Sequence, residues 1–468
     1  MAEYDYDMVV IGSGPAGQRA AVQAAKLGKR AAIVERHAEI GGVMVNSGTI
    51  PSKTLREAAM YLTGYRERSI YGESYSVKDD ITMSDLMIRT SHVMQQKTDT
   101  LRHQLLRNRV ELITADASFI DSHTIDLASV DGRSHRPITA DKVVIAVGTS
   151  AAKPEWTHVD GKRILLSDDI LNLSELPRSL AIIGAGVIGL EYGSIFATLG
   201  IRVTLIDRYP RLLDFVDGEI VDTLVYHLRQ KRVTLRLNEE VTWAETFEDD
   251  RGEHVRIRLV SGKQIVTDAA LYSVGRTGAT ESLRLDAVGL ETDSRGRLRV
   301  NETYQTSAPN IYAAGDVIGF PNLASTSSEQ GRVASCHAFD VPANTIPGLF
   351  PYGIYTIPEI SMVGRTEEDM TEDIVPYEVG KAQYREIARG QIIGDDSGLL
   401  KLLFHTRTRE LLGVHIIGEG ASELVHIGQA VLAFGGTVDY FVDAVFNYPT
   451  LAECYKTAAL DGINRLEA

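Results

Sequence analysis

Cysteine is nearly absent: the 468-residue chain holds two, Cys336 and Cys454. They lie far apart and outside any C-x-x-C pattern, which argues against a disulfide framework or a metal knuckle; two reduced, buried, apolar-like residues are the expectation. That usage fits a reducing compartment. The opening Met1-Ala2-Glu3-Tyr4-Asp5-Tyr6-Asp7 has neither the basic start nor the apolar stretch of a secretory signal. The cytoplasm is therefore the expected location. Basic charge is short too, with 48 lysines and arginines against 63 acidic residues and a net charge of -15. Non-specific nucleic-acid binding, which needs phosphate neutralisation, is not expected. No apolar run approaches the roughly 20 residues of a membrane-spanning helix. His405, His415 and His426 have no ligand-like spacing and no carboxylate cluster beside them in sequence, so they read as structural histidines and no metal site is expected.

What is present is a globular composition, 44% hydrophobic, in a chain long enough for about three folding units. One signature occurs twice. Met8-Val9-Val10-Ile11, a short buried-strand run, leads into Gly12-Ser13-Gly14-Pro15-Ala16-Gly17, a helical stretch through Gly28, and Ala31-Ala32-Ile33-Val34 ending at Glu35. In the second copy Ala181-Ile182-Ile183 enters Gly184-Ala185-Gly186-Val187-Ile188-Gly189, a helix runs to about Gly200, and Val203-Thr204-Leu205-Ile206 ends at Asp207. The acid stands the same 23 residues after the first glycine in both copies, Gly12 to Glu35 and Gly184 to Asp207. The spacing has a mechanism. The first glycine makes a tight strand-to-helix turn, the second lets backbone approach a pyrophosphate, and the third lets helix pack on strand. The helix N-terminus then faces the phosphates, and the carboxylate accepts ribose hydroxyls.

Two dinucleotide sites in one chain imply a redox enzyme passing hydride between a held flavin dinucleotide and a nicotinamide dinucleotide. A strand ending in Gly315-Asp316 adds an aspartate able to reach sugar hydroxyls at the carboxyl end of a sheet; a turn or cap residue is its plain alternative. Asp207 favours NAD, because its carboxylate accepts a 2′-hydroxyl and repels a 2′-phosphate. Arg208 and Arg211 follow at once and either neutralise that phosphate or merely coat a loop. Later, Leu399 to Phe404 and Leu411 to Ile417 read as a strand pair followed by apolar-striped helices from about Ser422. Arg66 to Lys97 reads as a loop and an amphipathic helix.

Over nearly its whole length the chain resembles the pyridine nucleotide-disulfide oxidoreductase family. The match rests on Gly48-Thr49-Ile50-Pro51-Ser52-Lys53, Gly189-Leu190-Glu191, Gly275-Arg276-Thr277-Gly278, Ala314-Gly315-Asp316-Val317-Ile318-Gly319 and Phe446-Asn447-Tyr448-Pro449-Thr450-Leu451-Ala452-Glu453. The resemblance implies an α/β fold with two Rossmann-like dinucleotide-binding domains and a C-terminal α+β interface domain that makes a homodimer. Its divisions fall at 1–150 (FAD, first part), 151–276 (NAD(P)), 277–345 (FAD, second part) and 346–468 (interface). It implies FAD held by Gly12, Gly14, Gly17, Glu35, Gly41, Gly42, Lys53, Ala117, Gly148, Asp316 and Ala324. NAD(H) and NADP(H) as substrates would be held by Gly184, Gly186, Gly189, Glu191, Asp207, Arg208 and Gly275. Lys53, paired with Glu191, would stand near the flavin N5 and favour hydride acceptance, as would a helix N-terminus expected after Leu323-Ala324-Ser325.

The departures matter as much as the matches. Where disulfide reductases of this family carry two redox cysteines, this chain reads Gly41-Gly42-Val43-Met44-Val45-Asn46-Ser47-Gly48-Thr49. Neither thioether nor hydroxyl replaces a thiolate. Where they carry a His-Pro acid-base, it has Tyr448-Pro449 with Glu453 retained, and a phenol titrating near pH 10 shuttles protons poorly. Tyr448 reads as aromatic packing at a subunit interface. The expected activity is hydride exchange between NADPH and NAD+ by a ping-pong route through FAD. The alternatives are an NAD(P)H:quinone reductase or diaphorase, and a flavin-loaded sensor with negligible turnover.

Overall fold

The computed structural model describes residues 3–72, 77–250, 252–343 and 348–466. Its first sheet is built from Tyr6–Ile11, flanked in parallel by Ala31–Glu35 and by the second half of His135–Ile145, with Glu111–Thr114 and Ile311–Ala313 outside them. Strands covered on both faces read as unbroken apolar runs, and Met8, Val9 and Val10 are fully buried. The first half of His135–Ile145 pairs antiparallel with Thr124–Ala128, which continues to Asp116–Phe119. The helix Pro15–Lys26 opens with proline at its first turn, where the missing N–H has no partner to lose. It crosses Ala324–Ala338 so closely that a Cβ on Gly331 would lie 2.0 Å from the Ala16 carbonyl oxygen.

A second parallel sheet has the order Thr234–Arg236, Arg202–Ile206, Ser179–Ile183, Ala269–Tyr272, Ile164–Leu166. The antiparallel strands Val241–Asp249, Gly252–Leu259 and Gln264–Thr267 interrupt it in sequence. A two-stranded ribbon, Thr149–Ala151 against Arg276–Gly278, marks where the chain enters and leaves this unit. The third sheet is antiparallel, ordered Tyr352–Ile354, Ile360–Gly364, Leu411–Ile417, Leu399–His405, Tyr377–Gln383, and backed by Ala421–Ala433 and Glu453–Leu466. The expected strand pair is there, with Leu399 opposite Ile417. The division expected at 345/346 lies outside the described residues.

Three helices differ in extent from the sequence reading. The glycine-turn helices end at Lys26 and Thr198, each two residues earlier. The amphipathic helix expected to finish near Lys97 runs from Met83 to Arg107. Its start is fixed by a capping box, Thr82 with Asp85. It continues through the polar Lys97–Thr100 stretch because Leu101 and Leu105 carry the buried stripe onward. No helix of the described residues is long and apolar enough to cross a membrane.

Candidate functional site

The two glycine turns superimpose in their demands. Gly12 and Gly184 have φ of +104° and +98°, and a Cβ on them would lie 2.4 Å from the Ala146 oxygen and 2.7 Å from the Ser273 oxygen. A Cβ on Gly17 or Gly189 would sit 1.9 or 2.0 Å from the carbonyl oxygen of Gly12 or Gly184, so the helix is pressed against its own turn. Gly14 and Gly186 differ from both: a Cβ there meets nothing within 4 Å. That leaves open space against both turns, which close backbone approach to a pyrophosphate requires.

Each acid ties its turn in the same way. Glu35 accepts from Ser13 N at 3.0 Å and His37 N at 3.0 Å; Asp207 accepts from Ala185 N at 2.6 Å and Tyr209 N at 3.0 Å. Glu35 also takes the Ser13 hydroxyl at 2.6 Å, and that oxygen accepts Gly41 N at 2.9 Å. Ser13 thereby links the fingerprint to the Gly41–Gly42 turn. The sequence reading passed over it because it stands at a variable place in the glycine pattern.

A cavity of about 350 Å³ opens on the first turn. Gly12, Gly14, Glu35, Gly42, Ala117, Gly148, Asp316 and Ala324 all line it, together with Met44 and Thr49. Gly17 and Gly41 stand behind the wall and shape it through backbone packing. Ala324 begins the 15-residue helix Ala324–Ala338, so that helix presents its positive end to the cavity. Burial pushes the Asp316 carboxyl above its ordinary value, against the pull of Arg276 and a hydrogen bond from Ser327. Arg276 is itself pinned by Thr149 Oγ1, the Thr149 carbonyl and Asp168. Asp168, another lining residue, carried no sequence signal of its own.

Lys53 and Glu191, 138 residues apart, meet at 2.6 Å. Lys53 projects from Thr49–Thr63 in the first unit and Glu191 from Val187–Thr198 in the second. Glu191 is buried, and its other oxygen accepts Tyr355 N at 2.8 Å.

At the second turn, Asp207 is half-buried and Arg208 exposed. The Arg208 guanidinium lies over the Tyr209 ring at 4.8 Å and donates to its hydroxyl at 2.8 Å. Arg211 turns away and pairs with Glu368 of the C-terminal unit at 2.8 Å. Gly275, with φ of +102°, begins the return to the ribbon.

The remaining expected residues are placed as follows. Cys336 and Cys454 are free and buried, and burial drives the Cys454 thiol up to about 12. Tyr448 is 74% exposed, while the Glu453 Oε2 is buried without a partner in the single chain. His405 Nδ1 accepts the N–H groups of Arg407 and Thr408, and His426 Nδ1 meets Gln429 Oε1. His415 is fully buried with Nε2 on the Arg365 carbonyl. Asp217, Glu219 and Glu367 form the one carboxylate cluster with ligand-like spacing among the described residues. The Lys401 ammonium contacts all three, where a metal cation would otherwise sit.

The cavity combines an open Cβ position at Gly14, the helix N-terminus at Ala324, the buried Glu35 and the partly buried Asp316. Residues 6–331 match the pyridine nucleotide-disulphide oxidoreductase family and residues 350–459 its dimerisation domain. A soluble pyridine nucleotide transhydrogenase of Mycobacterium tuberculosis is 54% identical over 464 residues, covering 99% of this chain and 98% of the relative. One from Colwellia psychrerythraea is 46% identical over 468 residues, 99% of each. Among solved structures, the HOCl-induced flavoprotein disulfide reductase RclA from Escherichia coli aligns with a TM-score of 0.86 at 27% identity, covering 97% of this chain and 99% of that one. LpdA from Mycobacterium tuberculosis aligns with a TM-score of 0.88 at 27% identity, covering 98% and 100%. The chain belongs to the pyridine nucleotide-disulphide oxidoreductase family.

Proposed function

We propose that the protein exchanges hydride between NADPH and NAD+, in either direction, with FAD as its resident cofactor. The observation that carries this reading is a pair of matching dinucleotide turns joined by the Lys53–Glu191 bridge, beside a segment from Gly41 to Lys53 that holds no thiol. The names of the full-length relatives support it. Bound FAD would supply a two-electron acceptor that returns the pair, which no side chain here can do.

The protein's part is to bind, orient and set charge. Gly12, Gly14 and Gly17 shape the turn for the FAD pyrophosphate, Glu35 and Asp316 take sugar hydroxyls, and Gly41, Gly42, Ala117 and Gly148 line the bed. The helix beginning at Ala324 and the Lys53 ammonium would supply positive charge to the bound flavin and so favour its acceptance of hydride. Gly184, Gly186, Gly189 and Gly275 shape the nicotinamide dinucleotide's site, Glu191 holds Lys53, and Asp207 and Arg208 read the adenosine ribose. Both signs beside that ribose suit a site that admits NAD and NADP in turn. In this reading 1–150 and 277–345 form the FAD domain, 151–276 the NAD(P) domain and 346–468 the interface of a homodimer acting in the cytoplasm.

The test mixes purified yellow protein with NADPH and thio-NAD+ anaerobically and follows thio-NADH, with a parallel sample containing a quinone. Fast thio-NADH formation with parallel double-reciprocal lines is expected. Flavin bleaching without thio-NADH, but with rapid quinone turnover, promotes the quinone reductase. Absence of bleaching by either nicotinamide promotes the sensor.

A further inference from the structure

We infer that Tyr355 is a positioning residue that holds the Lys53 ammonium toward the flavin side of the site. The inference rests on the proposed flavin-dependent reading. Three folding units converge here: Lys53 comes from the first, Glu191 from the second, and Tyr355 from the loop after Tyr352–Ile354 in the third. Tyr355 touches both members of the bridge. Its N–H donates to Glu191 at 2.8 Å, and its ring lies 4.9 Å from Lys53 Nζ. Glu191 takes the ammonium at 2.6 Å on its other oxygen, so ring and carboxylate define where that charge sits.

The need for a second hold lies behind the lysine. Lys53 and Tyr355 line a cavity of about 240 Å³ whose other walls carry Glu57, Glu359, Glu419 and Glu423. A lysine side chain is long, rich in rotamers and a quarter exposed here. Arg56 lines the same cavity and already holds Glu57 at 2.7 Å and Glu359 at 3.3 Å, and Arg66 holds Glu419 at 2.6 Å, so what the lysine lacks on that side is restraint of its own rotamers. A ring face attracts an ammonium without neutralising it. It therefore holds Lys53 in place and leaves the charge available for the reduced flavin, which a second carboxylate would not do.

Because the bond to Glu191 comes from the backbone, it survives substitution, and a variant isolates the ring. The flavin-loaded enzyme and its Tyr355→Leu and Tyr355→Phe variants would be compared for flavin bleaching by NADPH in anaerobic stopped flow. The flavin midpoint potential would be measured in the same samples. Tyr355→Leu is expected to slow bleaching about three- to tenfold, the range of a partly desolvated cation–π contact, and to lower the potential by up to about 30 mV, the two-electron equivalent of tenfold. Tyr355→Phe keeps the ring and should retain most of the wild-type rate and potential. In a Lys53→Met background, Tyr355→Leu should add nothing. If Tyr355→Leu loses its fold, Tyr355→Met replaces it with the same expected direction. Unchanged rate and potential in a flavin-loaded leucine variant, or an equal effect without Lys53, overturns the inference. A wild-type protein that binds no flavin instead overturns the functional reading beneath it.

Discussion

Lys401 stands at 0% exposure where the second and third units join, contacting Asp217 at 2.9 Å, Glu219 at 3.2 Å and Glu367. Replacing it with methionine keeps the volume and removes the charge. Of the three carboxylates, whose oxygens lie within 4.8 Å of one another, Glu219 then keeps Lys381 at 2.7 Å while Asp217 and Glu367 lose the lysine they share. Removing one partner of a buried ion pair costs about 3–5 kcal/mol, which for a unit of this size lowers the unfolding midpoint by roughly 6 °C or more at pH 7. The pH dependence follows from the native groups. Burial works to raise the Asp217 and Glu219 carboxyls, and their hydrogen bonds and the surrounding cations overcome it and hold both below their ordinary values. In the native protein their contribution to stability is present above the unfolded carboxylate range and is lost as pH falls through the lowered values. In Lys401→Met the cluster relieves its repulsion by taking up a proton. Its folded values then lie above the unfolded ones, and the penalty grows as pH rises. The gap between the two proteins should therefore be widest at neutral pH and close toward pH 4–5. Differential scanning calorimetry of both at pH 5, 6 and 7 checks this. A drop under about 2 °C at pH 7, or a gap that does not change with pH, refutes the reasoning.

Other outcomes follow from single contacts. Gly14→Ala adds a methyl to open space, so the chain should fold and purify with little flavin, whereas Gly17→Ala drives its methyl to 1.9 Å from Gly12 O and should cost stability as well. Visible absorbance against protein content, with a melting curve, separates the two. Arg208→Ala should raise KM for NADPH about fivefold more than for NADH, with kcat held, the scale of one charge-assisted phosphate contact. Equal changes for both nucleotides would assign Arg208 to the loop surface. A maleimide at pH 7 should leave activity intact, because both cysteines are buried and the Cys454 thiol is pushed up to about 12. Loss of turnover in step with thiol labelling would show that a cysteine takes part.

Some of this was legible in the sequence because the constraint was local. A turn that requires positive φ, an open Cβ and a closely pressed helix leaves few choices but glycine, so both dinucleotide turns and their acids could be read from spacing. The segment without thiols was equally plain, and Met44 and Thr49 do line the cavity. What stayed hidden depends on long loops closing. Tyr355 reaches Glu191 across 164 residues and Lys401 reaches Asp217 across 184. Neither carries a pattern: Lys401 is a lone charge in the apolar run Leu399–Phe404, and nothing near it in sequence names its partners. The extended helix is a different case. Its capping box at Thr82 and Asp85 was available, but the polar run at Lys97–Thr100 resembles a helix end until Leu101 and Leu105 are counted.

The two turns, alike in backbone, are unlike in what surrounds their acids. Glu35 is 7% exposed and accepts three hydrogen bonds, one through a serine that also fixes the neighbouring Gly41 turn. Asp207 is half-buried, accepts two, and is followed by an exposed arginine resting on a tyrosine. The first turn opens on a cavity walled by both segments of the first unit, from Gly12 to Asp316 and Ala324. At the second turn Asp207 is only half-buried, and the exposed Arg208 rests on the Tyr209 ring. The first arrangement suits a group that stays, since the cavity encloses it between both segments of the first unit. The second suits a group that exchanges each cycle, because an exposed cation loses little when its phosphate departs. A hydride carrier loaded and discharged at one pocket needs that asymmetry. One repeated motif would supply it, with burial, the extra hydrogen bonds at Glu35 and the exposed Arg208 separating the two turns.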